Sequence, residues 1–293
     1  MGRDTEPLAD QADRHRRLDP GAAARLATIP RLFALDLDGT LLSSDHQVSI
    51  ATQAAVAHVR RRGAEVLLAS SRGPRAMEPT LRSLQLTDPA AFVASQGAIT
   101  GSYAAEGGLR VIDRQPMPAD LAKDLVKRAT AAGIAVNWFT GPHWYVSFIN
   151  HTIEQEAHIM HDTPRVRDLL AENSSPDKLL LIAPSADVTP LEMLAADLPR
   201  GLAAQISNPN YLEVTRSDVD KASAVKKFCQ TRGIRAAEVV AIGDGPNDLG
   251  LFAFAGISIA PANARPQVLQ AASFLTRSND DDGVAYALTT LIP

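Results

Sequence analysis

The sequence predicts an α/β protein built on an open, largely parallel sheet, with a second α/β module inserted in its middle. Three observations carry that expectation. Three apolar, β-leaning runs each end abruptly in polar residues: Leu32-Phe33-Ala34-Leu35 before Asp36, Val66-Leu67-Leu68-Ala69 before Ser70, and Val239-Val240-Ala241-Ile242 before Gly243-Asp244. Continuous apolar runs suit strands buried on both faces, as parallel strands are. Helix-like stretches alternate with them, Ile50 to Arg62, Pro74 to Leu86 and Lys221 to Arg232, and strand–helix alternation of this kind implies crossover connections in one sheet. The middle of the chain has a different texture and reads as a module of its own.

That module spans about 116–215. Pro116-Met117-Pro118 leads into an amphipathic helix, Ala119 to Ala132, then two runs, Ala135 to Phe139 and Trp144 to Phe148, that form a hairpin turning at Gly141-Pro142. A helix near Thr152 to His161, a strand at Lys178 to Ile182, a helix at Thr189 to Leu198 and strands near Leu202 to Ile206 and Tyr211 to Val214 complete it. The expected division is a flexible tail over 1–30, a core over 31–115 and 216–293, and the inserted module over 116–215.

Composition narrows the function classes. The 293 residues are 45% hydrophobic and 21% charged with a net charge of −4, and no Lys/Arg-rich stripe suggests a nucleic-acid partner. No run approaches the ~20 apolar residues of a membrane span, and the polar start of the chain does not read as a secretory signal. The single cysteine, Cys229, excludes an intramolecular disulfide and fits a reducing, cytoplasmic setting. Its helical context makes it a buried small hydrophobe rather than a nucleophile.

Ligands of open α/β sheets bind outside the carboxyl ends of the strands, so the polar residues that end the three runs should converge. Asp36-Leu37-Asp38-Gly39-Thr40 follows the first run, and Gly39 allows the two carboxylates to be aimed differently, one at metal and substrate, the other at a leaving group. Gly243-Asp244-Gly245-Pro246-Asn247-Asp248 follows the third. If those strands are neighbours, Asp36, Asp38, Asp244 and Asp248 crowd one cleft, which requires a compensating cation or protons. Carboxylate and carbonyl oxygens suit Mg²⁺, and Ser70 and Lys221 supply a hydroxyl and a fixed cation for phosphate oxygens.

With these motifs in order, the chain resembles the haloacid dehalogenase superfamily of phosphatases, in particular its Cof-like group. The matching residues are Asp36 to Leu42, Ala69-Ser70-Ser71-Arg72, Leu212-Glu213-Val214 followed by Lys221, and Gly243 to Asp248. The resemblance runs from about Leu32 to the C-terminus and implies a Rossmann-like core with an inserted α/β cap. It places the nucleophile on Asp36, the general acid/base on Asp38, and phosphate contacts on Ser70 and Lys221. The magnesium ligands fall on Asp36, the Asp38 main-chain carbonyl and Asp244. Asn247 and Asp248 match positions that support the metal and phosphate site, with Thr40, Arg72 and Gln96 as further supporting residues. Three departures stand out: Ser71 where the group often has glycine, Gln96 in place of asparagine before Gly97-Ala98, and Ala222 after the lysine.

An acid at Asp38 can protonate an alkoxide leaving group, which favours phosphatases and mutases over the superfamily's pumps and dehalogenases. The expected function is therefore Mg²⁺-dependent hydrolysis of a small phosphorylated metabolite through an aspartyl phosphate. A phosphomutase and a catalytically idle phosphate-binding regulator are the alternatives. Weaker signals are His151, His158 and His161 with Glu154, read as solvated or packed, and Trp138, His143, Trp144 and Tyr145, divided between pocket lining and core packing.

Overall fold

The computed structural model describes residues 16–19, 21, 28–86, 90–104, 106–184 and 187–293. Most of the expected tail lies outside the described residues. The chain divides into two compact units, residues 1–68, 83–85 and 229–293, and residues 69–82 and 86–228.

The first unit is built on parallel strands in the order β14-β13-β12-β1-β2. These are β1 (Leu32–Leu35), β2 (Glu65–Ala69), β12 (Val239–Ile242), β13 (Ile257–Ala260) and β14 (Phe274–Leu275). Every residue of β1 and β12 is fully buried, which explains why both read as unbroken apolar runs. Consecutive parallel strands are joined through helices: α1 (Ile50–Arg61) between β1 and β2, α7 (Leu249–Phe254) between β12 and β13, and α8 (Pro266–Ala271) between β13 and β14. Helix α9 (Gly283–Leu291) closes the unit and packs on α1. Ser49 caps α1 by accepting the Thr52 N–H at 3.0 Å, satisfying one of the amides that a helix start leaves without a partner. Within the stretch expected as tail, Leu18 is buried and its N–H donates to Leu275 O at 2.9 Å.

The second unit holds an antiparallel meander, β3 (Ala90–Ala94), β4 (Ile99–Ala104) and β5 (Gly108–Arg114), and a six-stranded sheet in the order β10-β11-β9-β6-β7-β8. The latter comprises β6 (Ala135–Thr140), β7 (His143–Val146), β8 (Arg165–Val166), β9 (Lys178–Ile182), β10 (Leu202–Asn208) and β11 (Tyr211–Arg216), all antiparallel except the β7–β8 pair. Helices α2 (Pro74–Ser83), α3 (Ala119–Ala131), α4 (His151–Met160), α5 (Thr189–Ala196) and α6 (Lys221–Arg232) complete the set.

Alternation along β6 and β9 gives this sheet two apolar faces. Val136, Trp138, Leu179 and Leu181 pack with Leu125 and Val126 of α3 and Leu191 of α5. Ala135, Phe139, Leu180 and Ile182 pack with Ile153 and Met160 of α4 and Ala76 of α2. Because both faces are covered, the run Lys178–Ile182 is buried throughout although its sheet is antiparallel. Among the described residues no helix is long and apolar enough to cross a membrane.

Candidate active site

The acidic motifs meet in the first unit because β1 and β12 are neighbours in parallel register. Leu35 is opposite Ile242, so the chain leaves the two strands at Asp36 and at Gly243-Asp244 on the same edge. The Asp36 N–H donates to Ile242 O at 3.0 Å, extending the ladder by one residue. Asp36, Asp244 and Asp248 each place a carboxylate oxygen within 4.8 Å of the others, and Asp36 and Asp248 are buried.

Local backbone shape makes that approach possible. After Asp36 the chain turns through Leu37–Leu41, closed by the Leu42 N–H returning to Leu37 O at 2.9 Å. Gly39 sits in this turn at φ +75°, and a Cβ there would lie 2.6 Å from Asp244 Oδ2. Glycine thus answers two demands, left-handed backbone and close passage of a carboxylate. Thr40 Oγ1 donates to Asp244 Oδ1 at 2.9 Å, and the Gly245 N–H donates to Asp248 Oδ2 at 3.1 Å. Asn247 belongs to the same turn, its Oδ1 lying 2.5 Å from the place a Cβ on Gly245 would occupy.

The Asp38 carboxylate is not part of the three-carboxylate group. Its side chain is 42% exposed, and His46 Nδ1 lies 3.6 Å from its Oδ1. His46 was not a candidate on sequence grounds. Neither was Asn263, whose Nδ2 donates to Gly39 O at 2.7 Å and whose Oδ1 accepts the Asn279 N–H at 2.9 Å, bracing the turn. Asn263 carried only a faint signal, since it stands three residues beyond β13, after Pro261 and Ala262, and β13 is interrupted by Ser258.

Three carboxylates this close repel one another by about 3.5 kcal/mol per pair at an effective dielectric of about 20. A divalent cation offsets this directly, and an all-oxygen donor set is the kind that hard cations take. The residues present therefore fit a bound divalent metal.

The other predicted site residues belong to the second unit, where Ser70, Arg72, Gln96 and Lys221 are all buried. The Arg72 N–H donates to Ser70 Oγ at 3.1 Å, so the hydroxyl accepts from its own loop. The Ser70 N–H donates to Val93 O, the Ser95 N–H to Arg72 O and the Gln96 N–H to Ser70 O, at 2.9, 2.8 and 3.1 Å. A Cβ on Gly97 would stand 2.1 Å from Asp220 O and 3.1 Å from Lys221 N, so the 95–97 turn lies against the start of α6. Ser70, Gln96 and Lys221 are thereby drawn to one place. Sequence reasoning missed two further buried groups in this unit, Lys178 and the ionic role of Glu213, because nothing in their strands marks them as charged partners.

The weaker candidates resolve simply. His151, His158 and His161 are exposed, and among the described residues the only group of metal-ligating side chains is the aspartate set. Trp138, Trp144 and Tyr145 are buried in the two apolar faces, and Trp144 Nε1 donates to Asn137 Oδ1 at 2.9 Å. His143 is half-buried, and desolvation, with Arg165 and Arg75 adding to it, lowers its pKa. Cys229 is buried and its thiol pKa is pushed up to about 11 by desolvation, which suits packing and not nucleophilic chemistry.

Residues 33–288 match the family model of haloacid dehalogenase-like hydrolases, and the chain belongs to that family. A Bacillus subtilis protein described as the putative phosphatase YxeH is 26% identical over 272 residues, covering 89% of this chain and 98% of its own. The B. subtilis 5-amino-6-(5-phospho-D-ribitylamino)uracil phosphatase YitU is 27% identical over 273 residues, covering 90% and 98%. The crystal structure of a haloacid dehalogenase-like hydrolase from Bacteroides thetaiotaomicron superposes with a TM-score of 0.80 at 25% identity, covering 90% of this chain and 100% of that one. The protein is thus an enzyme, a phosphatase of the haloacid dehalogenase type, as the motifs predicted.

Proposed function

We propose that this enzyme is a Mg²⁺-dependent phosphatase that hydrolyses a small phosphomonoester through an aspartyl phosphate on Asp36. The observation that carries the reading is the convergence of Asp36 with Asp244 and Asp248 at the end of two adjacent parallel strands. In this reading Asp36, Asp244 and the Asp38 main-chain carbonyl hold the metal, and Asp248, Asn247 and Thr40 support them. When bound, the metal supplies positive charge against phosphoryl oxygens and offsets the carboxylate crowding.

Asp36 Oδ attacks phosphorus in line, forming the acyl phosphate as the ester P–O bond breaks. Asp38 gives its proton to the departing alkoxide oxygen. The same carboxylate then removes a proton from the water that hydrolyses the acyl phosphate, returning Asp36 to its starting form. Asp38's exposed side chain, outside the carboxylate group, supports a residue that exchanges protons rather than one that ligates. Ser70 and Lys221 bind phosphoryl oxygens, with Arg72 and Gln96 in support. Residues 116–215 act as the cap that selects the leaving group. The relative YitU, named for a phosphorylated ribityl compound, supports an alcohol phosphomonoester of metabolite size as substrate.

The test is Asp36→Asn, assayed with p-nitrophenyl phosphate and a panel of phosphorylated metabolites in Mg²⁺. The variant should keep its melting temperature or gain slightly and lose all measurable turnover. Residual activity above a trace in the folded variant would remove Asp36 as nucleophile.

A further inference from the structure

We infer that the buried Lys178–Glu213 pair is a positioning device that sets the geometry of Ser70 and Lys221 through two loops. This rests on the reading of Ser70 and Lys221 as the residues that hold phosphate.

Both members of the pair lie within strands of the six-stranded sheet, Lys178 at the start of β9 and Glu213 in β11, and they are 2% and 5% exposed. Lys178 Nζ donates to Glu213 Oε2 at 3.0 Å and to Ser71 O at 2.7 Å, and it lies 5.0 Å from the centroid of the Phe139 ring. The same Glu213 oxygen accepts from Gln96 Nε2 at 3.1 Å. One cation thus grips the 70–72 loop, and one carboxylate oxygen grips the 95–97 turn.

That turn needs holding. Ser95, Gln96 and Gly97 are consecutive left-handed residues, with φ of +52°, +59° and +103°. Two successive non-glycine residues in this region are unfavourable and persist only where surrounding contacts over-determine them. The contacts here run to both phosphate elements. Gln96 N–H bonds Ser70 O at 3.1 Å, and Gly97 passes so close to Asp220 O that no side chain fits. A relaxed 95–97 turn would shift Ser70 and the first turn of α6 together.

An ion pair is a costly way to fill this volume, since well-packed apolar residues often replace buried pairs without loss of stability. A pair kept only for stability would therefore be replaceable. A pair kept for position would not. Displacing a phosphate-holding group by about 1 Å can lower turnover by about 10²-fold.

The experiment compares wild type, the double variant Lys178→Met/Glu213→Leu, and Gln96→Met, which leaves the ion pair intact. Each is measured in Mg²⁺ for melting temperature, for kcat and KM with p-nitrophenyl phosphate, and for affinity for inorganic phosphate. Ser70→Ala serves as the benchmark for a lost phosphate contact. The double variant should melt near wild type while kcat/KM falls about 10²-fold and phosphate binds about tenfold more weakly; Gln96→Met should weaken phosphate by a similar factor. If that double variant fails to fold, Lys178→Met/Glu213→Gln decides: it keeps an acceptor for Gln96 and loses only the grip on Ser71 O, and phosphate binding and kcat/KM should again fall. Weak phosphate binding by Ser70→Ala beside wild-type binding and turnover in the folded Lys178, Glu213 and Gln96 variants would overturn the positioning role alone. Wild-type protein without phosphate affinity would overturn the phosphate reading and this inference with it.

Discussion

Neutralising Asp244 should have opposite effects on the metal-free and metal-loaded enzyme. Asp244 shares a 4.8 Å neighbourhood with Asp36 and Asp248, so it takes part in two of the three carboxylate pairs. At an effective dielectric of about 20 each pair costs about 3.5 kcal/mol, a gross relief of about 7 kcal/mol when Asp244 becomes Asn. Asp244 is half-buried, and solvent screens most of that sum. A net gain of about 1–2 kcal/mol is expected, worth roughly 2–8 °C in a chain of this size. Thr40 still has an amide oxygen to donate to, so its bond survives. In chelator, Asp244→Asn should therefore melt above wild type. With Mg²⁺ at about 100 times its dissociation constant, wild type gains about 2.7 kcal/mol and should overtake the variant, which has lost a ligand. Differential scanning fluorimetry with and without Mg²⁺ reads both arms. A variant that melts below wild type in chelator, or that gains as much from Mg²⁺ as wild type does, would refute the crowding argument.

Asp38→Asn should lower kcat/KM far more for a sugar phosphate, whose alkoxide needs a proton, than for p-nitrophenyl phosphate; the difference should fall within the ~10²–10⁴-fold range of general acid catalysis, and equal losses would remove the acid role. Gly39→Ala should reduce activity and Mg²⁺-dependent stabilisation together, because its Cβ would meet Asp244 Oδ2 at 2.6 Å; unchanged metal titrations would contradict this. Glu156 is buried and accepts the Tyr211 hydroxyl at 2.6 Å, and desolvation raises its pKa above the usual carboxylate value. The folded chain therefore holds that proton more tightly than the unfolded chain, and the resulting stabilisation is present below a pKa of about 4.5 and lost as pH rises through the folded value. Glu156→Gln, which keeps an acceptor for Tyr211, should melt above wild type at pH 7–8 and converge with it near pH 4; a constant difference across that range would show that Glu156 titration does not contribute.

Much of the catalytic reading could be made from one-dimensional information. Strands β1 and β12 are buried on both faces, and an element with no solvent side has no room for a polar residue until it ends. That is why Leu32–Leu35 and Val239–Ile242 were legible to the residue, and why the residues after them stood out. The runs Lys178–Ile182 and Ala135–Thr140 were legible as strands for a related reason: both faces of their sheet are covered, so each is buried throughout and mostly apolar. The meander β3-β4-β5 was not singled out. Its outer strand alternates between half-buried and exposed residues, Gly108–Arg114, and so lacks a continuous apolar signature.

What the chain alone could not decide was adjacency. The sequence determined that Asp36 and Asp244 each end a buried strand, but only the β1–β12 register makes them neighbours. Likewise it showed four aspartates as one group, and the folded turn separates the exposed Asp38 carboxylate from the other three. Lys178 and Glu213 are 35 residues apart and sit in strands that read as apolar or alternating, so neither announces a partner. Their pairing depends on β9 and β11 lying side by side, with Glu213 opposite Leu180. Side-chain type and strand periodicity are local quantities carried by each short segment. Which segments meet is set by long-range packing of whole elements, and the site's distances exist only at that level.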